Sequence, residues 1–256
     1  KANLPRQPKP RRVRAGPATR TDVQIRAAAA LVAISPTDRQ EQLSFLVKAL
    51  ESSSSDIRAV SANALGMCRE SAKPAVEALM KRLEDDSERV RVESAYAMFR
   101  IAGDADGAIP VLVRAIGSID SGTAGLASVY LASIAPKGRR VGQPLLVQAA
   151  RHVRAEVRQR AIVLLPCFSE NLDVTRDVLI VALGSSVVED RLAALQAIAA
   201  MGRRAKDLQT RVQKSQQDEV ESVRQMAMLA EARIQSEESC PETSSPVDPA
   251  VPDDSP

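Results

Sequence analysis

The chain of 256 residues has no tryptophan and only two tyrosines and three phenylalanines. A compact enzyme of this length normally carries more aromatic side chains. It has one histidine, His152, so a multi-histidine metal centre cannot be built within the chain. Three cysteines are too few for a disulfide-stapled secreted module, and they suit a reducing compartment, so a cytoplasmic location is favoured. No uncharged apolar run reaches the ~18 residues needed to span a bilayer. There is no phosphate-binding glycine loop, no paired-histidine zinc motif and no nucleophile elbow.

Charge is abundant but sorted. Residues 1–20 hold seven basic residues, four prolines and no acid. Residues 235–256 hold six acids, five prolines and no base. Neither segment has the apolar surface to offset the conformational entropy of ordering, so both are expected to be disordered tails. Their opposite charges suit pairing within or between molecules, though weakly at physiological salt, where the Debye length is about 8 Å. The polybasic segment 1–20 also offers weak contact with nucleic acid or an anionic surface. The sequence begins at Lys1 rather than Met, which leaves room for a signal or anchor upstream.

What the chain has in quantity is repetition. Segments that read alike begin at Val23, Ile57, Val90, Thr123, Val157, Asp190 and Val223, spaced 34, 33, 33, 34, 33 and 33 residues apart. Four residues after each anchor stand Ala27, Ser61, Ser94, Ala127, Ala161, Ala194 and Ala227, all small. Eleven after stand Ile34, Cys68, Ile101, Ile134, Phe168, Met201 and Ile234, all apolar. Positions 0, 4, 7, 8 and 11 fall on one face of a 3.6-residue helix. A second apolar run precedes most copies, as in LSFLVKAL (43–50) and DVLIVAL (177–183), with Pro74, Pro110 and Pro144 near three of the starts. The pattern predicts an all-α solenoid over residues 21–234: one N-terminal helix, then about six antiparallel helix pairs. At 8–10 Å per layer this is a curved rod of roughly 60–70 Å.

The pattern resembles the HEAT repeat family, closest to the PBS-lyase HEAT-like type. The second helix of that type opens Val-Arg-x-x-Ala. Ile57-Arg58, Val90-Arg91, Val157-Arg158 and Val223-Arg224 match, and Arg191 follows Asp190. In the first copy Arg26 is displaced, and in the fourth Ala124 replaces the arginine. The family often carries Asp five residues before the anchor. Asp85 and Asp218 match, but Ser52, Ser118, His152 and Ser185 do not, so a ladder of Asp–Arg pairs between repeats is expected to be broken. The resemblance implies a superhelix whose second helices line the concave side, and a protein-binding scaffold as its common use.

Known enzymes with such repeats can be set against these residues. The deoxyhypusine hydroxylase type needs several His-Glu pairs, and the DNA glycosylase type relies on Trp-rich clefts; neither fits. The phycobilin lyase type is closest in repeat form, but no residue set here marks a tetrapyrrole site. The reading is of a non-catalytic scaffold without cofactor or metal, with anionic binding through residues 1–20 or a lyase-like subunit as alternatives.

The candidate partner-binding residues are Val92, Tyr96, Phe99, Val129, Val163 and Gln196, at positions 2, 6 and 9 of the second helices, which are expected to face the concave side. The same rule places Ile25, Ala29 and Val32 of the first copy and Pro166 of the fifth on that face. These positions are more apolar than a solvated face requires. They suit a groove for a partner helix or peptide; the competing reading buries them between layers. The arginines Arg58, Arg91, Arg158, Arg191 and Arg224 read as structural, capping turns and pairing between repeats, with an anion-binding stripe as the alternative. Pro166 is expected to kink or shorten its helix. His152 reads as a turn residue, Cys68 as a core thiol, and Cys240 as an exposed thiol in the acidic tail.

Overall fold

The computed structural model describes residues 20–35 and 37–236. Most of the basic segment (1–19) and the acidic segment (237–256) lie outside them, as does Cys240. The described residues form helices joined by short turns, with no strand among them.

The order is α1 (Arg20–Ile34), α2 (Arg39–Ala49), α3 (Ser55–Met67), a 3₁₀ segment (Arg69–Ala75) leading into α4 (Val76–Arg82), α5 (Glu88–Ala102), α6 (Ala105–Ala115), α7 (Ser121–Ala149), α8 (Ala155–Phe168), α9 (Leu172–Leu183), α10 (Val188–Met201), a 3₁₀ segment (Gly202–Leu208) leading into α11 (Gln209–Ser215), and α12 (Glu221–Gln235). Six of the seven anchors fall two residues inside a helix, as Ile57 does in α3 and Val223 in α12. The second helices are therefore α1, α3, α5, the first half of α7, α8, α10 and α12. Between them come six first helices, so the described residues form a lone helix followed by six pairs.

Small residues at position 4 let consecutive second helices approach closely. A Cβ added at Gly66 of α3 would lie 2.9 Å from Ala97 Cα of α5. Consecutive second helices pack directly on one another, α5 on α7 most sparsely, while first helices of adjacent layers touch little. The second helices therefore form the inner side of the curve. The core divides into three clusters: α1 to α5, α5 to α8, and α8 to α12. α5 is shared: Ala97 and Ile101 face the first cluster, and Val92 and Ala95 the second. Fully buried side chains such as Leu65, Leu131 and Ile198 each contribute about 1.5–3 kcal/mol.

Two local features depart from the regular pair. The fourth second helix and the fourth first helix run on as one 29-residue element, α7, with no loop between them. Gly138, at φ −122° and ψ 20°, breaks the helical geometry there. Gly138 and Gly142 are both tightly seated: a Cβ would fall 2.1 Å from Ile109 Cδ1 at the first and 2.1 Å from the Phe168 ring at the second. Pro166 does not shorten α8, which runs through it to Phe168 and equals α10 at 14 residues.

Candidate partner-binding face

Each turn before a second helix is built the same way. The side chain five residues before the anchor accepts a hydrogen bond from the backbone N–H two residues on. Ser52 does this for Ser54, Asp85 for Ser87, Ser118 for Asp120, His152 Nδ1 for Arg154, Ser185 for Val187 and Asp218 for Val220, at 3.0–3.2 Å. Serine, aspartate and histidine are thus equivalent as turn acceptors, which gives His152 a structural task. The arginine after the anchor closes the same turn from the other side. Arg58 Nη1 donates to the carbonyls of Ser52 and Ser53, and Arg91, Arg158, Arg191 and Arg224 repeat the arrangement six and five residues back.

Three of these arginines also reach the next layer. Arg58 pairs with Asp85 at 2.7 Å and Asp86 at 2.5 Å, and Arg191 Nε lies 2.9 Å from Asp218. Arg158 pairs with Asp190 at 2.9 Å, although Ser185 stands where the family places Asp. Asp190 occupies the anchor itself, normally apolar, and supplies the missing carboxylate from there. Burial pushes the Asp85 carboxyl up, but the Arg58 hydrogen bonds and the Ser87 N–H hold it at about 2. The hydrogen bond from Arg191 likewise holds Asp218 below the usual carboxylate range. Arg91 has no such partner ahead: Ser118 replaces the aspartate and hydrogen-bonds Glu88 instead.

One of the junctions without such a pair, α5 on α7, carries most of the aromatic side chains. Tyr96 and Tyr130 stack at 3.7 Å between centroids and 9° between planes, and Phe99 stacks on Tyr96 at 6.1 Å. Three of the chain's five aromatics meet here. The Tyr130 hydroxyl donates to Glu93 Oε2 at 2.8 Å, and Asn63 Nδ2 donates to the same oxygen at 3.0 Å. Burial pushes the Glu93 carboxyl and the Tyr130 phenol up, and their mutual hydrogen bond raises the phenol further. Arg100 lies 6.0 Å over the Tyr96 ring and Lys137 Nζ 5.6 Å over the Phe99 ring.

The candidate residues separate by position. At 100° per residue, positions 2 and 9 point towards the following layer, and only position 6 points to the inner surface. Val92 is therefore fully buried between α5 and the next layer and offers no surface to a partner. Ile25, Val32 and Pro166 are buried for the same reason, and Ala29 is buried against the second copy. Phe99, also at position 9, stays half-buried because α5 and α7 pack less closely. Tyr96 is half-buried, while Val129 (65%), Val163 (38%) and Gln196 are exposed. Sequence reasoning missed Glu93 and Asn63, which signal only through contacts 30 and 37 residues apart. It also missed a groove of about 860 Å³ on the other side of the layers, where α9 stands off from the second half of α7; Val147, Ile162, Val174, Val178 and Val181 line it. Cys68 is buried, and burial pushes its thiol up to about 11.

An α-solenoid of paired helices with capped, arginine-locked turns defines the class. The family model for HEAT repeats matches residues 17–99 and 43–128, and helix pairs of the same build continue beyond the matched residues to α12. Similar solved structures include an engineered protein (26% identity, 75% of this chain and 96% of that one, TM-score 0.45). A designed armadillo repeat protein is 19% identical over 75% of this chain and 99% of its own, with a TM-score of 0.43. The complex of CpcE and CpcF of phycocyanin lyase from Nostoc sp. PCC7120 is 18% identical over 91% and 95%, with a TM-score of 0.39. No curated protein matches the chain. No helix among the described residues is long and apolar enough to cross a membrane.

Proposed function

We propose that the protein is a non-catalytic interaction scaffold that holds an extended partner along the inner face, centred on the α5–α7 junction. The observation that carries this reading is the convergence of Tyr96, Phe99 and Tyr130 beside exposed Val129 in a chain otherwise poor in aromatics. Aromatic side chains bury much area at low entropic cost and dominate interface energetics. Arg100 and Lys137 above the rings, with Glu93 turned inward to Tyr130 and Asn63, make the local surface cationic. The complementary partner is an apolar helix or peptide flanked by acidic residues. Val163 and Gln196 extend the row along the next two second helices.

The test is selection of helical peptides against the full chain, followed by affinity measurement on variants. Val129→Asp alters an exposed side chain and leaves the fold alone; Tyr96→Ser with Phe99→Ser removes the ring surface. Selected binders should be rich in apolar and acidic residues and lose at least tenfold in affinity for both variants. Binders that hold Val129→Asp as tightly as the wild type would overturn the assignment.

A further inference from the structure

The two terminal second helices are complementary to each other. α1 buries Ile25, Ala28, Ala29 and Val32, its positions 2, 5, 6 and 9, and exposes Val23, Ala27, Ala30 and Ile34, its positions 0, 4, 7 and 11. α12 does the reverse. It buries Val223, Ala227, Ala230 and Ile234 and exposes Gln225, Met228, Leu229 and Ala232. In the internal layers the face around positions 5 and 9 of one second helix meets the face around 0, 4, 7 and 11 of the next. Gly66 against Ala97 is position 9 against position 7, and Cys68 Sγ reaches the Ala29 carbonyl from position 11 to position 6. α12 thus presents the surface that another layer would cover, and α1 presents the surface that would cover it. No helix among the described residues precedes α1.

Solenoids that end in solution normally have a polar outer face on their terminal repeats. Both end faces here expose large apolar side chains. Val23 is 57% exposed and Ile34 76%, and at the other end Met228 is 54% and Leu229 48% exposed. The small residues Ala27 and Ala30 keep the close-approach chemistry of the internal layers. The flanking charge is also complementary. The segment leading into α1 carries seven basic residues and no acid, and the segment following α12 carries six acids and no base. A 15-residue helix is about 22 Å long, a distance that either segment of about twenty residues can span.

We propose that copies of this chain associate end to end, α12 of one copy stacking on α1 of the next, an approach that the opposite charges of the two flanking sequences favour. Such a contact is heterologous: different surfaces meet, and it propagates into an open array or closes into a ring. It leaves the inner face free and is independent of the partner-binding reading.

Sedimentation of the full chain over a range of concentrations and salt tests this. The mean mass should rise with concentration, and more steeply at low salt, where the charged segments attract over a longer distance. Ala27→Glu, which blocks the α1 face, and Leu229→Glu, which blocks the α12 face, should each be monomeric with unchanged helix content, since both side chains are exposed. Mixed together, they retain one good face of each kind, and should form a complex of twice the monomer mass and nothing larger. Ala30→Lys and Met228→Lys repeat the test with the opposite charge. A wild-type chain that stays monomeric at all concentrations, either blocked variant still dimerising alone, or a mixture that fails to pair would each overturn the proposal.

Discussion

The layers from α8 to α12 and the layer from α5 to α7 are made of the same repeat yet held together differently. In the former, Arg158–Asp190 and Arg191–Asp218 tie consecutive turns, and small residues such as Ala194 and Ala227 keep the second helices close. In the latter, Ser118 replaces the aspartate, Tyr130 replaces alanine at position 7, and the helices stand further apart around a stacked tyrosine pair. Substitution at two columns of one repeat thus turns a locked junction into a wider one with ring surface and buried polar atoms. Uniform repeats give stiffness, and departures from the repeat mark where something other than stacking is being arranged.

The comparison can be broken or sharpened by substitution. Tyr130→Ala should have the largest effect, about 4 kcal/mol of lost stability in urea unfolding. It removes a buried ring and strips Glu93 of its hydroxyl donor. Arg58→Ala should cost about 3 kcal/mol, because it leaves buried Asp85 charged with only the longer 3.3 Å contact to Arg82 as an ion pair, while Arg91→Ala should cost only about 1 kcal/mol. If both arginines cost the same, the difference between junctions is not electrostatic. Ser118→Asp together with Glu88→Gln should create the missing pair with Arg91 and raise stability by about 1 kcal/mol. No gain would mean that the tyrosine stack holds the layers too far apart.

Acid provides a finer probe. Asp85 titrates at about 2 in the folded chain, below its unfolded value, so its contribution is complete above about pH 4 and fades as pH falls towards 2. Arg58→Ala should flatten the pH dependence of stability in that window. Glu93 has the opposite sign: burial raises its carboxyl, so the ionised form works against the fold at neutral pH. Glu93→Gln should have the smallest effect, a gain of less than about 1 kcal/mol at pH 7 that vanishes in acid. A loss at pH 7 would show that the carboxylate itself, rather than a hydrogen-bond acceptor, is needed by Tyr130.

Much of this architecture was legible in the sequence, because a solenoid writes its contacts locally. The interval of 33 or 34 residues placed the second helices within two or three residues of their starts, and small residues at position 4 marked the stacking face. The site was legible only in part. Tyr96 and Val129 at position 6 reach the inner surface, but Val92 at position 2 points into the next layer, an angular distinction that polarity patterns hide when both faces are apolar. Asp190 stands at an anchor, and its pairing with Arg158 appears only when the two turns are set side by side. The fused helix α7 was hidden because Pro144 reads as the start of a separate first helix, although the chain stays helical on both sides of Gly138.

Amide hydrogen exchange across the free protein tests the central claim most directly, because it reads the opening of each layer separately. Protection should be high and matched in α3, α10 and the inner turns of α12, and measurably lower where α5 faces α7. Protection at the α5–α7 junction equal to or above that of the arginine-locked layers would contradict the account.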